Sequence, residues 1–283
     1  MSPADGIVEA MTGQGSGVEP ASEAPGTKLR AFKLIVAYDG GAFSGWQRQS
    51  AARTVQATLE DALVALIGEP EIRLLASSRT DTGVHALGQC CTFRSRAWRA
   101  KANHLAFALN TQLPPDVVVR SAEEVSMAFN PIRHAQGKRY RYRIYASRIS
   151  DPHSRRDAWW VKRRLDIEDM QAAAEILLGE HDFASFQTTG SPRVSTIRTV
   201  RAIDIRAEDH QDGQTVTVEV EADGFLYNMV RNIVGTLVLV GRQQRPCEWV
   251  SEVLQARDRR QAGQTAPAHG LCLLQVFFPS TIE

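Results

Sequence analysis

EIRLLASSRTDTGVHALGQCCTF, Glu71–Phe93, sets a polar, glycine-closed loop between two apolar segments. EIRLLA reads as a short strand, and VHALGQCCTF reads as a second one. Between them lies Arg79-Thr80-Asp81-Thr82-Gly83. An aspartate shortly before a glycine is a common hairpin signal, so turn chemistry alone accounts for Asp81. A carboxylate two residues from an arginine is also a group that catalysis uses. The rest of the chain has to separate these readings.

Upstream, Leu34–Tyr38 predicts a strand entering a turn at Asp39-Gly40-Gly41. Thr54 can cap a helix with Val55, Leu59, Ala62, Leu63, Leu66 and Ile67 on one face, closed by Gly68. Downstream, His104–Asn110 predicts a short helix stopped at Pro114-Pro115, and Val117–Val119 a strand. In GKRYRYRIY, Gly137–Tyr145, period-two alternation puts Lys138, Tyr140, Tyr142 and Ile144 on one face. Arg139, Arg141, Arg143 and Tyr145 fall on the other.

Asp166 starts a helix expected to reach Leu178, with Leu165 and Met170 as a hydrophobic staple and Gly179 at its end. Thr215–Glu221 alternates as a strand, and Phe225–Val240 carries a helical stripe of Leu226, Met229, Val230, Ile233 and Leu237. A helix over Cys247–Ala256 and a strand over Leu271–Phe278 complete the pattern. Strands and helices in both halves predict α+β, with mainly antiparallel sheets covered by helices. Asn130-Pro131 interrupts the pattern, which predicts a boundary near 130–136 and two domains, 29–133 and 134–283.

The 283 residues are 43% hydrophobic and 23% charged, an ordinary globular balance. No apolar run approaches the ~18 residues of a membrane span. Residues 1–28 lack aromatics, are rich in Gly, Ala, Ser, Pro and Glu, and predict a disordered tail rather than a signal peptide. Cys90, Cys91, Cys247 and Cys272 form no CxxC pair and have no histidine at metal spacing. They read as small buried residues of a reducing cytoplasm. Between Arg133 and Arg164 eleven Lys or Arg stand against two acids, interleaved with Tyr140, Tyr142, Tyr145, Trp159 and Trp160. A solvated face accounts for a charge run. Cations for phosphates and rings for bases account for this one equally well.

Several stretches then occur in one order: YDGGAFSGWQRQ (Tyr38–Gln49), TVQATLEDAL (Thr54–Leu63), SRTDTGVHALGQ (Ser78–Gln89), GKRYRYRIY, GEHDFASF (Gly179–Phe186), DGFLYNMVRNIVGTL (Asp223–Leu237) and TAPAHGLCL (Thr265–Leu273). Together they resemble the TruA family of tRNA pseudouridine synthases, over roughly Leu29 to Pro279. The resemblance implies two α+β domains whose sheets join around a central basic cleft, with helices outside. It implies isomerisation of uridine to pseudouridine at positions 38 to 40 of the tRNA anticodon stem-loop, without metal or cofactor. It also implies a cytoplasmic homodimer that binds tRNA and no membrane.

Residue by residue, the resemblance makes Asp81 the nucleophile, acting on the ribose or the base or assisting glycal formation. Arg231 pairs with it, Tyr140 packs on the target base, and Arg79 handles the target nucleotide. Physical chemistry agrees with such a set. A carboxylate attacks carbon only when ionised and freed of water, and burial alone would favour its protonated form, so a fixed cation is needed. Helical spacing alone leaves Arg231 an exposed helix arginine, and a strand tyrosine such as Tyr140 or Tyr142 is ordinarily core. An extruded nucleotide, however, needs a stacking surface.

This chain departs from the family pattern at Ser78 (usually Gly), at Thr82 (often Ala), and at FNPIRHA, Phe129–Ala135, where Ile132 replaces the usual arginine. A glycoside hydrolase would also put a carboxylate near C1′, but it needs a second one, which RTDTG does not supply. A tRNA-binding protein without catalysis is the remaining rival.

Overall fold

In the computed structural model, residues 28–188 and 195–279 are described. The expected tail lies outside them except for Lys28. The first half of the chain gives β1 (Arg30–Tyr38), α1 (Val55–Ile67), β2 (Leu75–Ala76), β3 (His85–Ser95), α2 (Ala102–Asn110) and β4 (Val117–Val125). The second half gives β5 (Gly137–Ser147), β6 (Trp159–Val161), α3 (Ile167–Glu175), β7 (Gly179–Asp182), β8 (Ile197–His210), β9 (Gly213–Ala222), α4 (Met229–Gly241), α5 (Trp249–Ala256) and β10 (Leu271–Phe277). The fold is α+β, as the pattern predicts.

The strands form one ten-stranded sheet in the order β4-β1-β3-β10-β5-β9-β8-β7, with β2 added on β3 and β6 on β5. Every pairing is antiparallel except β10 with β3 and β6 with β5. The last strand is therefore the seam, joining strands from both halves of the chain. Leu273 pairs with Ala86 of β3 on one side and Tyr140 of β5 on the other. Two strand spacings, about 9.5 Å, thus separate the backbone that follows Asp81 from that of Tyr140.

Thr54 caps α1 by accepting from Ala57 N, and Asp166 caps α3 by accepting from Asp169 N. Val55, Leu59 and Leu63 of α1, Leu105 and Leu109 of α2, Met170 of α3 and Ile233, Val234 and Leu237 of α4 join the sheet residues in one buried cluster. Cys90 and Cys91 are both fully buried, as adjacent residues of an inner strand covered on both faces would be.

Several elements differ from the sequence pattern, β6 and β7 among them, which it does not predict. The α3 helix stops at Glu175, because Leu177 N and Leu178 N bond three residues back and tighten the last turn, burying Leu177. The stretch Phe225–Asn228 is not helical: Asn228 takes a left-handed backbone, φ 59°, and α4 starts after it. The pattern also gave no strand at Ile197–His210, where β8 pairs along β9. Its alternation is masked by arginines and acids on both sides of the few buried residues, Val200 and Ile205 among them.

The basic window is also more neutral than its local count. Arg139 and Arg141 of β5 lie opposite Glu221 and Glu219 of β9, and pair with them at 2.6 and 2.8 Å. Arg143 pairs with Asp157 and Arg164 with Asp209. Counting charge along the chain missed acids that the sheet brings in from β9.

Candidate active site

The segment Ser77–Val84 leaves β2 and enters β3, and it is fastened on both sides of Asp81. Ser77 N donates to Cys90 O, Gln89 Nε2 donates to Ser78 O at 2.8 Å, and Lys138 Nζ donates to Ser77 O at 2.8 Å. Tyr38 OH and Thr80 Oγ1 share a hydrogen bond of 2.7 Å, and Trp46 N donates to Thr80 O at 3.0 Å. After the aspartate, Val84 N closes the turn on Asp81 O at 3.1 Å. Gly83 sits at φ 80°, a conformation that side-chain-bearing residues strain to adopt.

This loop forms one wall of a cleft of about 590 Å³. Asp81 and Arg79 line it from the loop, Tyr140 and Lys138 from β5, and Phe225, Tyr227 and Asn228 from the segment before α4. Asp81 is the only carboxylate among the described residues that line it. Burial pushes the Asp81 carboxyl up from its ordinary range, and the positive charge of Arg231 pulls it back only in part. No ion pair within 4 Å joins the two among the described residues, so Arg231 acts through space.

Arg231 is itself held. Its Nε donates to Ala266 O at 2.6 Å and its Nη1 to Asn228 Oδ1 at 2.8 Å. Ala266 comes this close because Gly235 has no side chain: a Cβ there would lie 1.7 Å from Gln264 O.

Tyr140 is buried in the wall. Its ring meets Phe225 edge-on at 5.0 Å, and its hydroxyl shares a 2.9 Å hydrogen bond with Ser78 Oγ. Burial first, and then the charge of Asp81, push its phenol up to about 12, against the Ser78 bond. Tyr140 is therefore neutral beside Asp81. Arg79 is exposed at the rim, with no hydrogen-bond or ion-pair partner among the described residues.

The geometry brings Asp81, Tyr140 and Arg79 to one cleft, with the Arg231 charge reaching Asp81. Tyr142, on the same face of β5 as Tyr140, is core: fully buried, its hydroxyl donating to Pro267 O at 2.7 Å.

Comparison with known proteins places this chain in a family. The family model described as tRNA pseudouridine synthase matches residues 34–159 and 173–279. The chain belongs to the tRNA pseudouridine synthase family. It is similar to tRNA pseudouridine synthase A of Acetivibrio thermocellus, 42% identical over 250 residues, covering 88% of this chain and 100% of that protein. The same-named protein of Geobacter sulfurreducens is 45% identical over 253 residues, covering 88% of this chain and 100% of its own length. The enzyme is thus an isomerase of the tRNA pseudouridine synthase type, which converts uridine to pseudouridine in tRNA.

Reading this synthase from sequence missed three residues of the cleft. Ser78 stands out in the sequence only as a departure from the family pattern, and its bond to Tyr140 crosses 62 positions of sequence. Phe225 and Asn228 fall inside the quoted motif DGFLYNMVRN, but a helical reading aims them elsewhere. A helix-breaking asparagine after an aromatic pair was the available signal.

Proposed function

We propose that this synthase acts on uridine at positions 38 to 40 of the anticodon stem-loop, with Asp81 as nucleophile and no cofactor. The observation that carries the reading is a single carboxylate among the described residues that line the cleft, sharing it with a neutral tyrosine and under the influence of a fixed arginine. Uridine and pseudouridine are isomers, so the reaction consumes no co-substrate. The N1–C1′ bond breaks, the uracil turns, C5 bonds to C1′, and C5 gives up its proton while N1 gains one. Attack on the ribose, attack on the base and assistance to glycal formation all require Asp81 to be ionised, and Arg231 favours that form.

In this reading the target nucleotide leaves the stem and enters the cleft. Tyr140 supports the uracil face and Arg79 contacts the extruded nucleotide from the rim. The absence of a second acid among the described lining residues disfavours glycoside hydrolysis, which needs two carboxylates about 5–9.5 Å apart. Residues 29–133 contribute the nucleophile, and residues 134–283 the basic strand and the helix of Arg231. A homodimer in the cytoplasm completes the proposal.

Mapping pseudouridine by carbodiimide-dependent primer extension on an unmodified tRNA tests the site. The expected stops fall one nucleotide 3′ of a uridine at positions 38 to 40. Stops confined to another arm of the tRNA would refute the anticodon assignment.

A further inference from the structure

Arg231 is the third residue of α4, and Asn228 stands immediately before the helix. A residue there commonly gives its side-chain oxygen to a free N–H of the first turn. Asn228 makes no such bond. Its Oδ1 instead accepts from Arg231 Nη1 at 2.8 Å, and its Nδ2 donates to Thr188 Oγ1 at 3.1 Å. Its backbone is left-handed, which costs any residue other than glycine, although asparagine tolerates it better than most. A forgone cap and an unfavourable backbone are offset here by an oriented guanidinium. With Nε on Ala266 O and Nη1 on Asn228, the guanidinium has one nitrogen, Nη2, without a hydrogen-bond partner among the described residues.

We propose that Asn228 is a positioning residue that fixes the Arg231 guanidinium so that its charge bears on Asp81. The inference rests on the reading of Asp81 as nucleophile and Arg231 as its counter-charge. The charged and titratable groups that line the cleft with Asp81 are Arg79 from its own loop, Tyr140 and Lys138 from β5 and Tyr227 from the segment before α4, and the charge of Arg231 reaches it from α4. Arg231 faces Tyr142 of β5 as well. Asn228 is thus the neutral link in a set that holds one acid.

Two variants separate orientation from folding. Asn228→Gly keeps the left-handed backbone and removes the acceptor. Asn228→Asp keeps the acceptor but sets a second negative charge against Arg231. In full-length protein carrying 13C-labelled aspartate carboxyls, the Asp81 resonance is identified by its loss in Asp81→Asn.

Both variants are expected to move the Asp81 titration midpoint upward, Asn228→Asp further. The acid limb of the single-turnover rate should move with it. The rate at saturating tRNA should fall by roughly tenfold or more in Asn228→Gly, as for other displaced catalytic geometries. An Asp81 titration unchanged in folded Asn228→Gly overturns the proposal, whatever Asn228→Asp does through its added charge; if Asn228→Gly does not fold, Asn228→Ser, whose shorter hydroxyl does not reach Nη1 as Oδ1 does, is read in the same way. A shifted titration with an unshifted rate would uphold the positioning role and instead sink the reading of Asp81 as nucleophile.

Discussion

Asp81 combines a function with a cost. Its carboxyl is held above the ordinary value of 3.8, because burial outweighs the charge of Arg231. The unfolded chain therefore releases this proton at lower pH than the folded protein does. Whatever Asp81 contributes to stability is whole below pH 3.8 and is lost as pH rises through the folded value. Asp81→Asn is accordingly expected to melt above the wild type at neutral pH, with the difference closing as pH falls toward 3.8, as thermal melts across the acid range would record. A variant less stable at neutral pH would contradict this. Tyr140 makes a second test. Tyr140→Phe loses the Ser78 bond but keeps the ring, and should retain most tRNA affinity. Tyr140→Ala should lose about 1–3 kcal/mol of it, the worth of one stacked base, in filter binding well below the melting temperature. Equal losses in both variants would make the hydroxyl, not the ring, the contact. At this scale the sequence was informative for Asp81, Tyr140, Arg79 and Arg231, because each lies in a short, specific motif. It gave Ser78 no role and did not single out Asn228, because their partners are set by long-range packing and by one left-handed backbone angle.

Among the elements, α4 and the segment before β10 work as a pair. Gly235 and Gly263 let the helix and the chain touch backbone to backbone, and that contact delivers Ala266 O to Arg231. Gly235→Ala would place a methyl against Gln264 O, where neither backbone can retreat cheaply. A loss of about 1–3 kcal/mol is expected in urea unfolding, typical of overpacking, together with reduced turnover as Arg231 shifts. An unchanged unfolding midpoint would show that the contact is soft. Helices α1 and α3 were legible at their starts because a side-chain cap is a local signal. The start of α4 and the end of α3 were not, since burial of Leu177 and the turn of Phe225 toward Tyr140 are tertiary events. Strand β8 escaped because charged residues fill so much of it.

For the whole molecule, the seam strand β10 could not be foreseen from local pattern, since nothing in Leu271–Phe277 says that it lies between β3 and β5. The same sheet alters the electrostatics of tRNA binding. Arg139 and Arg141 are already paired across strands, whereas Arg155 and Arg156 have no carboxylate partner among the described residues. If Arg155 and Arg156 meet phosphates, replacing both with Ala should flatten the plot of log affinity against log salt by about two units, one per contact. The double replacement of Arg139 and Arg141 should leave the slope nearly unchanged. Equal flattening would mean that the cross-strand pairs open on binding. The central claim, that Asp81 carries out the isomerisation of tRNA uridine, is tested most directly by tritium release from a tRNA transcript containing 5-tritiated uridine, because bonding C5 to C1′ expels the C5 hydrogen. The wild-type protein should release tritium. Asp81→Asn should bind the same tRNA within a few-fold and release less than about 1% as fast, in line with losses of 10²-fold or more for essential catalytic groups. Release by the folded variant at a rate near that of the wild type would contradict the account.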